Sequence, residues 1–311
     1  MWRFYYAVMS KVHVRILQRA MWWCLRYVGV SERLGNEWYY KFKLLADTGE
    51  VFAHPNQGGG VNSLILWMQV HWNGCETASR CSDKIAVRKF VKDRIGEKYL
   101  VPMLPTEGDG WGDPSEVDFD QLPNSFVLKC NNGSQMNLLV PDKTQLDVQH
   151  ARALMAEWLA SDFARGCREL HYKKIENRIY CEAYLPVEGE RTPDDYKFMC
   201  SDGELLYIWV DQGRFDNHRR SIYDENWNLQ KVFYFYPYEQ LPKPENLDEM
   251  IRISRELSKG IPLVRIDLYN IKGKIYFGEM TFSSDAGVGI MLPFSFSQRM
   301  ARKAKFPDTG W

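Results

Sequence analysis

Two runs late in the chain carry the residues best suited to chemistry: Val264-Arg265-Ile266-Asp267-Leu268-Tyr269 and Ile275-Tyr276-Phe277-Gly278-Glu279-Met280-Thr281. Both read as strands, and Lys272-Gly273 between them is a two-residue turn signal, so they pair as a hairpin. Arg265 and Asp267, two apart, share a strand face, and Glu279 lies on the partner strand near enough for two carboxylates to share a site. Adjacent carboxylates repel and need a cation, and a hard oxygen donor set suits Mg²⁺. Arg265, on the same face, could hold an oxygen of a phosphoryl or acyl-phosphate group. A structural Arg–Asp–Glu ion-pair cluster is the alternative use of the same residues.

Two earlier runs offer a nucleotide's other needs. In Phe126-Val127-Leu128-Lys129-Cys130-Asn131-Asn132-Gly133-Ser134 a lysine ends an apolar strand, where its ammonium is costly unless it meets an anion. The small polar turn that follows offers backbone N–H groups of the kind that cradle phosphates. A plain hairpin with Lys129 in solvent fits the same residues. In Ile179-Tyr180-Cys181-Glu182-Ala183-Tyr184-Leu185-Pro186, alternation turns Glu182 away from Cys181, so its carboxylate could accept from an exocyclic amine while the following backbone meets a purine edge. A strand-end salt bridge is the plainer alternative. Arg214, His218, Arg219 and Arg220 lie among aromatics between Trp209 and Trp227 and suit an anionic substrate or a solvated basic loop. Asp118-Phe119-Asp120 matches the Asp-x-Asp of metal-dependent glycosyltransferases, a short motif of low specificity. No Gly-x-Ser-x-Gly, His-Glu-x-x-His or Walker motif occurs.

The elements that must position these groups alternate short β-rich runs with helices. Ser82 is placed to cap a helix that ends near Gly96, and 99–102 reads as a short strand. Residues 105–120, rich in Gly, Pro and Asp, form a linker or exposed loop, and Gln57-Gly58-Gly59-Gly60 reads as a flexible connection. Strands are expected at 125–129, 138–140, 178–185, 196–199 and 205–210, and a helix over 145–164. Asn246 caps a helix with apolar residues at Leu247, Met250, Ile251 and Leu257, ended by Gly260. The pattern is α+β with mainly antiparallel pairing.

Composition narrows the function classes. The chain has 311 residues, 45% hydrophobic and 26% charged, which is a globular composition. Forty basic residues balance forty acidic ones, which argues against a nucleic-acid partner. The balance is uneven: residues 1–43 carry eight basic residues against two acidic. Tyr5, Met9, Val12, Ile16, Ala20, Trp23 and Tyr27 fall on one helical face, flanked by Lys11, Arg15, Arg19 and Arg26. That pattern suits either a helix lying in a membrane interface or one docked on its own domain. Seven cysteines without a Cys-x-x-Cys pattern point to free thiols in a reducing cytoplasm. No apolar run is long enough to span a bilayer.

In order, strand Lys, Gly/Ser turn, hinge Glu, Arg-x-Asp and Gly-Glu resemble an ATP-grasp enzyme. The chain more closely resembles the TupA-like ATP-grasp proteins of polysaccharide gene clusters. That likeness rests on Ser82-Asp83-Lys84 with Arg88, Leu122–Lys129, Asp195-Tyr196-Lys197-Phe198, Lys243-Pro244-Glu245-Asn246-Leu247, Val264–Tyr269 and Tyr276–Phe282, and covers about residues 80–295. It implies an ATP-grasp domain over 81–311, with two α+β subdomains clamping the nucleotide, after a helical and mixed segment at 1–80. It implies ATP and Mg²⁺ as cofactors. Lys129 and the turn of Asn131, Asn132, Gly133 and Ser134 would hold phosphates; Glu182 with the backbone of Ala183, Tyr184 and Leu185 would hold adenine. Asp267 and Glu279, with Thr281, would bind metal. Arg265 would steady the acyl phosphate, Lys197 would reach phosphate or substrate, and Arg214, Arg219 and Arg220 would meet substrate. Thr281 stands where many ATP-grasp enzymes have Asn, and Asn132 where many TupA-like sequences have His. The implied activity is ATP-dependent ligation of a carboxylate to an amine, the carboxylate being a uronic acid of a surface glycan. A lipid-linked glycan or the inner leaflet would be a partner for the basic helix. A metal-dependent glycosyltransferase and a non-catalytic glycan-binding subunit are the alternatives.

Overall fold

The structure, a computed structural model, describes Ala20, Trp23, Cys24, Tyr27 and residues 33–104, 109–185, 193–213 and 217–311. The basic helix expected over 1–28 lies outside the described residues apart from those four positions; there Trp23 and Tyr27 are exposed and stack at 5.8 Å. No helix among the described residues is long and apolar enough to cross a membrane.

Two antiparallel sheets carry the polar residues singled out above. The small sheet has the order β2-β1-β3, with β1 at Phe126–Cys130, β2 at Asn137–Val140 and β3 at Ile179–Ala183. Its inner face buries Phe126, Leu128, Ile179 and Cys181 against Ala151 and Met155 of the helix Val148–Ala160. The helix expected over 145–164 is broken at Ser161–Asp162, because Asp162 accepts from Arg165 N (3.0 Å) and caps a new short helix, Phe163–Cys167. The described part of the expected linker packs on this sheet: Trp111 bridges to Ile179, and Val117 and Phe119 enter its core.

The large sheet runs β10-β9-β4-β5-β6-β7. These are β4 Asp195–Ser201, β5 Glu204–Gln212, β6 Arg219–Tyr223, β7 Leu229–Gln230, β9 Val264–Ile271 and β10 Lys274–Thr281. A separate pair joins β8, Phe233–Tyr234, to β11, Met291–Leu292. The β9–β10 hairpin forms as expected, with Lys272 (φ 50°) and Gly273 (φ 79°) both left-handed. The helix Leu247–Ser258 packs on the sheet through Leu247, Met250, Ile253 and Leu257, all buried. Asn246 precedes it without capping it; its side chain bonds Asn270 and Gly273 instead.

The helices Val61–His71 and Phe294–Lys303 contribute Leu64, Ile65, Met68, Phe296 and Met300 to the same large core. The Gly run before them is a packed corner rather than a flexible link: a Cβ on Gly59 would lie 1.9 Å from Ala53 O. The helix expected from Ser82 to Gly96 is two, Glu76–Ser82 and Val87–Ile95. Asp83, not Ser82, caps the turn between them, accepting from Ile85 N (2.8 Å) and Ala86 N (3.1 Å). Residues 99–102 make no strand; Glu97–Tyr99 is a 3-10 turn, and Met103 pairs with Glu182.

Candidate active site

Cross-strand partners in an antiparallel sheet share a face, so register decides which side chains meet. In the large sheet Glu279 pairs with Asp267, Asp267 with Lys197, and Lys197 with Trp209. The first of these pairings depends on a bulge. Phe277 pairs with Leu268, and an unbroken ladder would set Gly278 opposite Asp267 and send Glu279 to the helix-covered face. The register shift between Phe277 and Glu279 returns Glu279 to the face of Asp267. Gly278 permits the shift, since a Cβ there would stand 3.1 Å from Asp267 O.

Arg265 joins the two carboxylates. Its Nε and Nη2 donate to Asp267 Oδ1 and Oδ2 at 2.6 and 2.7 Å, Nη2 also reaches Glu279 Oε1 at 2.7 Å, and Nη1 reaches Ser284 Oγ at 3.2 Å. Lys197 donates to Asp267 Oδ2 (2.7 Å) and to Asp195. It is thus held between two buried carboxylates and positions Asp267 rather than projecting towards a ligand. Thr281 donates to Glu279 Oε1 at 2.7 Å, a supporting bond to the carboxylate. Burial opposes the charge on Glu279, but Arg265, Lys84 and Lys197 outweigh it and hold the group at about 2. Asp267 is pushed above its ordinary value by burial, with Asp195 and Glu279 adding to the effect against Arg265 and Lys197.

The small sheet presents the second wall. Lys129 Nζ donates to Glu182 Oε2 at 2.6 Å, and Arg88 Nη1 donates to Glu182 Oε1 at 3.1 Å. Glu182 is therefore a doubly paired, buried carboxylate. Ala183 N–H is spent on Pro102 O (2.9 Å), while Tyr184 and Leu185 are half-buried. The turn after β1 faces inward through its asparagines. Asn131 accepts from Arg178 N (2.8 Å) and donates to Glu176 O (3.0 Å), and Asn132 donates to Asn177 Oδ1 (2.8 Å). Both side chains fasten the turn, leaving its exposed crest at Ser134 and Gln135 after Gly133 (φ 77°).

The sequence alone assigns Lys84 no role. Its Nζ donates to Gly133 O at 2.5 Å and its backbone N–H to Asn131 O at 3.1 Å, so it is tied to the turn. Burial lowers its pKa, while Glu279 across the gap pulls the other way. Lys84 thus stands between the turn and the carboxylate row. Arg88 was likewise unassigned. The only local signal for both was a Lys and an Arg four residues apart after an Asp cap.

Around this gap Lys84, Arg88, Lys129, Lys197 and Arg265 face Glu182, Asp195, Asp267 and Glu279. Arg220 lies on the same face as Trp209, farther along the sheet, opposite Asp211. Arg219 points to the other face and pairs with Glu239 at 3.2 Å, so it is not part of the site. Arg214 lies outside the described residues. Asp118 caps a 3-10 turn by accepting from Asp120 N (3.0 Å) and Gln121 Nε2 (2.9 Å), and neither Asp118 nor Asp120 joins the site. The described cysteines Cys24, Cys75, Cys81, Cys130, Cys181 and Cys200 are free.

Among the described residues no three His, Cys, Asp or Glu side chains converge as a metal cage. Mg²⁺ nevertheless fits the donors present, because it is held by one or two carboxylates with water and phosphate completing the shell. Asp267 and Glu279 are adjacent, and Glu279 Oε2 is left clear of the hydrogen bonds that engage Oε1.

Among solved structures the chain is similar to D-alanine–D-alanine ligase from Bacillus anthracis, at 16% identity over 73% of this chain and 68% of that one, with a TM-score of 0.41. It is similar to the ATP-grasp ligase PsnB complexed with minimal precursor (14%, 74% and 62%, TM-score 0.40). It is also similar to N5-carboxyaminoimidazole ribonucleotide synthetase from Thermus thermophilus (9%, 67% and 46%, TM-score 0.36). The chain thus spans 46% to 68% of the length of these three proteins. No curated protein matches the sequence. A family model described as TupA-like ATPgrasp matches residues 65–300, from the helix Val61–His71 to the helix Phe294–Lys303 and across both sheets. The chain belongs to the TupA-like ATP-grasp family, and its α+β architecture is an ATP-grasp fold.

Proposed function

We propose that this protein is an ATP-dependent ligase that joins a carboxylate to an amine through an acyl phosphate. The observation that carries the reading is the bulge-aligned row of Glu279, Asp267 and Lys197, bridged by Arg265 and faced by Lys84 at the Gly133 turn. Lys84 and Lys129 would bind phosphate oxygens, with the crest at Ser134–Gln135 closing over them. Glu182 and the backbone at Tyr184–Leu185 would hold the adenine, Glu182 already lying within bonding reach of Lys129. Asp267 and Glu279 would hold Mg²⁺, with Thr281 orienting Glu279. When bound, that ion offsets the charge that grows on the transferred phosphoryl group. Arg265, fixed by four hydrogen bonds, would steady the acyl-phosphate oxygen as the amine attacks. Positioning supplies most of the remaining rate, so no nucleophilic side chain is needed.

The family resemblance supports a uronic acid as the carboxylate and an amino acid or other amine as its partner, within a bacterial surface polysaccharide. An ATP-grasp domain from residue 81, closed on one side by the preceding helices, is the organisation this reading implies. The test is calorimetric titration of Mg·ATP, followed by ADP release with uronic acids and amino acids. Wild-type protein should bind the nucleotide. Glu279→Gln, which leaves Arg265 paired with Asp267, should bind it at least tenfold more weakly, in keeping with about 1.5–3 kcal/mol for a charge-assisted contact. No binding to wild type at millimolar nucleotide would sink the ligase reading.

A further inference from the structure

Beyond the carboxylate row, the same sheet face continues into a cluster that the nucleotide reading leaves unused. Tyr207, Trp209 and Asp211 alternate along β5, and Asp211 pairs in register with Arg220 of β6. Asp211 anchors that arginine, accepting from Nε at 2.6 Å and Nη2 at 3.0 Å, with His218 Nε2 at 3.0 Å from the same carboxylate. The guanidinium lies over Tyr234 at 4.7 Å, Tyr236 at 5.5 Å and Trp209 at 5.6 Å. Arg220 is therefore fixed, with no hydrogen bond at Nη1. Three polar atoms here are buried without a hydrogen bond: Arg220 Nη1, Trp209 Nε1 and Tyr207 Oη. Their residues are 8%, 0% and 1% exposed.

All three atoms can donate, and the arginine and tryptophan nitrogens can do nothing else. Buried donors are nearly always paired, so three in one cluster mark a missing acceptor. The ring of Trp209 is the hub. Tyr207 stacks on it at 5.6 Å, and the guanidinium of Arg265 lies 5.6 Å from it, as does that of Arg220. The Tyr207 hydroxyl lies in the field of Asp285, Arg220 and Arg265 together. Asp285 does not meet the need, since its Oδ2 is 3.9 Å from Arg220 Nη1, beyond hydrogen-bond reach, and its carboxylate is bonded to Tyr234 Oη. An acceptor at this place would sit on the Trp209 side of Arg265.

We infer that Tyr207, Trp209 and Arg220 form a subsite for the carboxylate of a ring-bearing substrate, with Trp209 and Tyr234 flanking its carbon skeleton. The inference rests on the ligase reading for its place in the reaction, and adds to that reading the residues that select an anionic acceptor. Neutral sugars present no charge to the unpaired donors, so the site discriminates against them.

The probes are glucuronate, glucose and inorganic phosphate, titrated calorimetrically into the full chain in the presence of Mg·ADP. Wild type is expected to bind glucuronate and to bind glucose and phosphate at least tenfold more weakly. Tyr207→Phe and Arg220→Lys should each weaken glucuronate about tenfold or more while leaving Mg·ADP affinity unchanged. Because the Tyr207 hydroxyl has no partner in the free protein, Tyr207→Phe should melt no lower than wild type without ligand, yet lose the rise in melting temperature that glucuronate gives. Glucuronate affinity equal to wild type in both variants overturns the inference. So does wild type that binds Mg·ADP but no glucuronate, or that prefers phosphate or glucose. Glucuronate binding that depends on Tyr207, in protein that binds no nucleotide, upholds the subsite and sinks the ligase reading alone.

Discussion

Replacing Arg265 tests the site's electrostatics most directly, because one side chain holds both carboxylates. The guanidinium makes two bonds to Asp267, one to Glu279 and one to Ser284, and Asp267 is 3% exposed. Arg265→Ala would leave Asp267 with Lys197 alone, next to Asp195 and Glu279 of like sign. Breaking a buried pair in this way costs about 3–5 kcal/mol, a large part of the about 5–15 kcal/mol that holds a typical domain. Arg265→Lys keeps the charge but loses the fork, so its cost should be nearer about 1.5–3 kcal/mol. The assay is urea unfolding of wild type and both variants across pH. Glu279 in wild type is held at about 2, below its ordinary 4.5. A carboxylate with a lowered folded-state pKa adds stability that is present above the unfolded value and is lost as pH falls through the folded one. The share of the gap between wild type and Arg265→Ala that comes from Glu279 should therefore be present at neutral pH and shrink as pH falls towards 2. An alanine variant with the wild-type midpoint at pH 7, or a gap that widens in acid, would refute this account.

Two further substitutions separate placement from charge. Gly278→Ala puts a Cβ 3.1 Å from Asp267 O and 3.3 Å from Tyr269 Cε2, which should cost about 1–3 kcal/mol in urea unfolding and weaken Mg·ADP binding by disturbing Glu279. Wild-type values in both measurements would remove the bulge from the argument. Lys84→Met removes a cation whose pKa burial has lowered, so the free variant should be at least as stable as wild type at pH 7. A lysine with a lowered folded-state pKa costs stability that is recovered as pH rises towards 10.5, so any advantage of the variant narrows in alkali. Its Mg·ADP affinity should fall about tenfold or more, and undiminished affinity would take Lys84 out of the nucleotide site.

What could be read in the sequence follows the range of the interactions involved. Arg265, Asp267 and Lys129 were legible because charge inside an apolar strand is costly wherever the strand goes, and the alternation that exposes the anomaly is local. Glu279 was found for an incomplete reason. A regular hairpin from the Lys272-Gly273 turn would have turned it to the face covered by the helix Leu247–Ser258, and only the bulge at Gly278 sets it beside Asp267. The trace of that bulge in the sequence is one strand glycine, which has several other meanings. Lys84 and Arg88 entered only as part of the family likeness, with no role of their own, since their partners Gly133 and Glu182 lie 49 and 94 residues away. Asn131 and Asn132 were legible only as part of a polar turn with backbone N–H groups to offer; that their side chains bond residues 175–178 and fasten the turn, leaving the adjoining crest exposed, depends on contacts more than forty residues away. Trp209 entered only as one end of an aromatic, basic run and Tyr207 carried no signal at all, because an aromatic in a strand is the ordinary way to fill a core. What marks them is the absence of an acceptor for their buried donors, and an absent partner is visible only once every other strand of the sheet is in place.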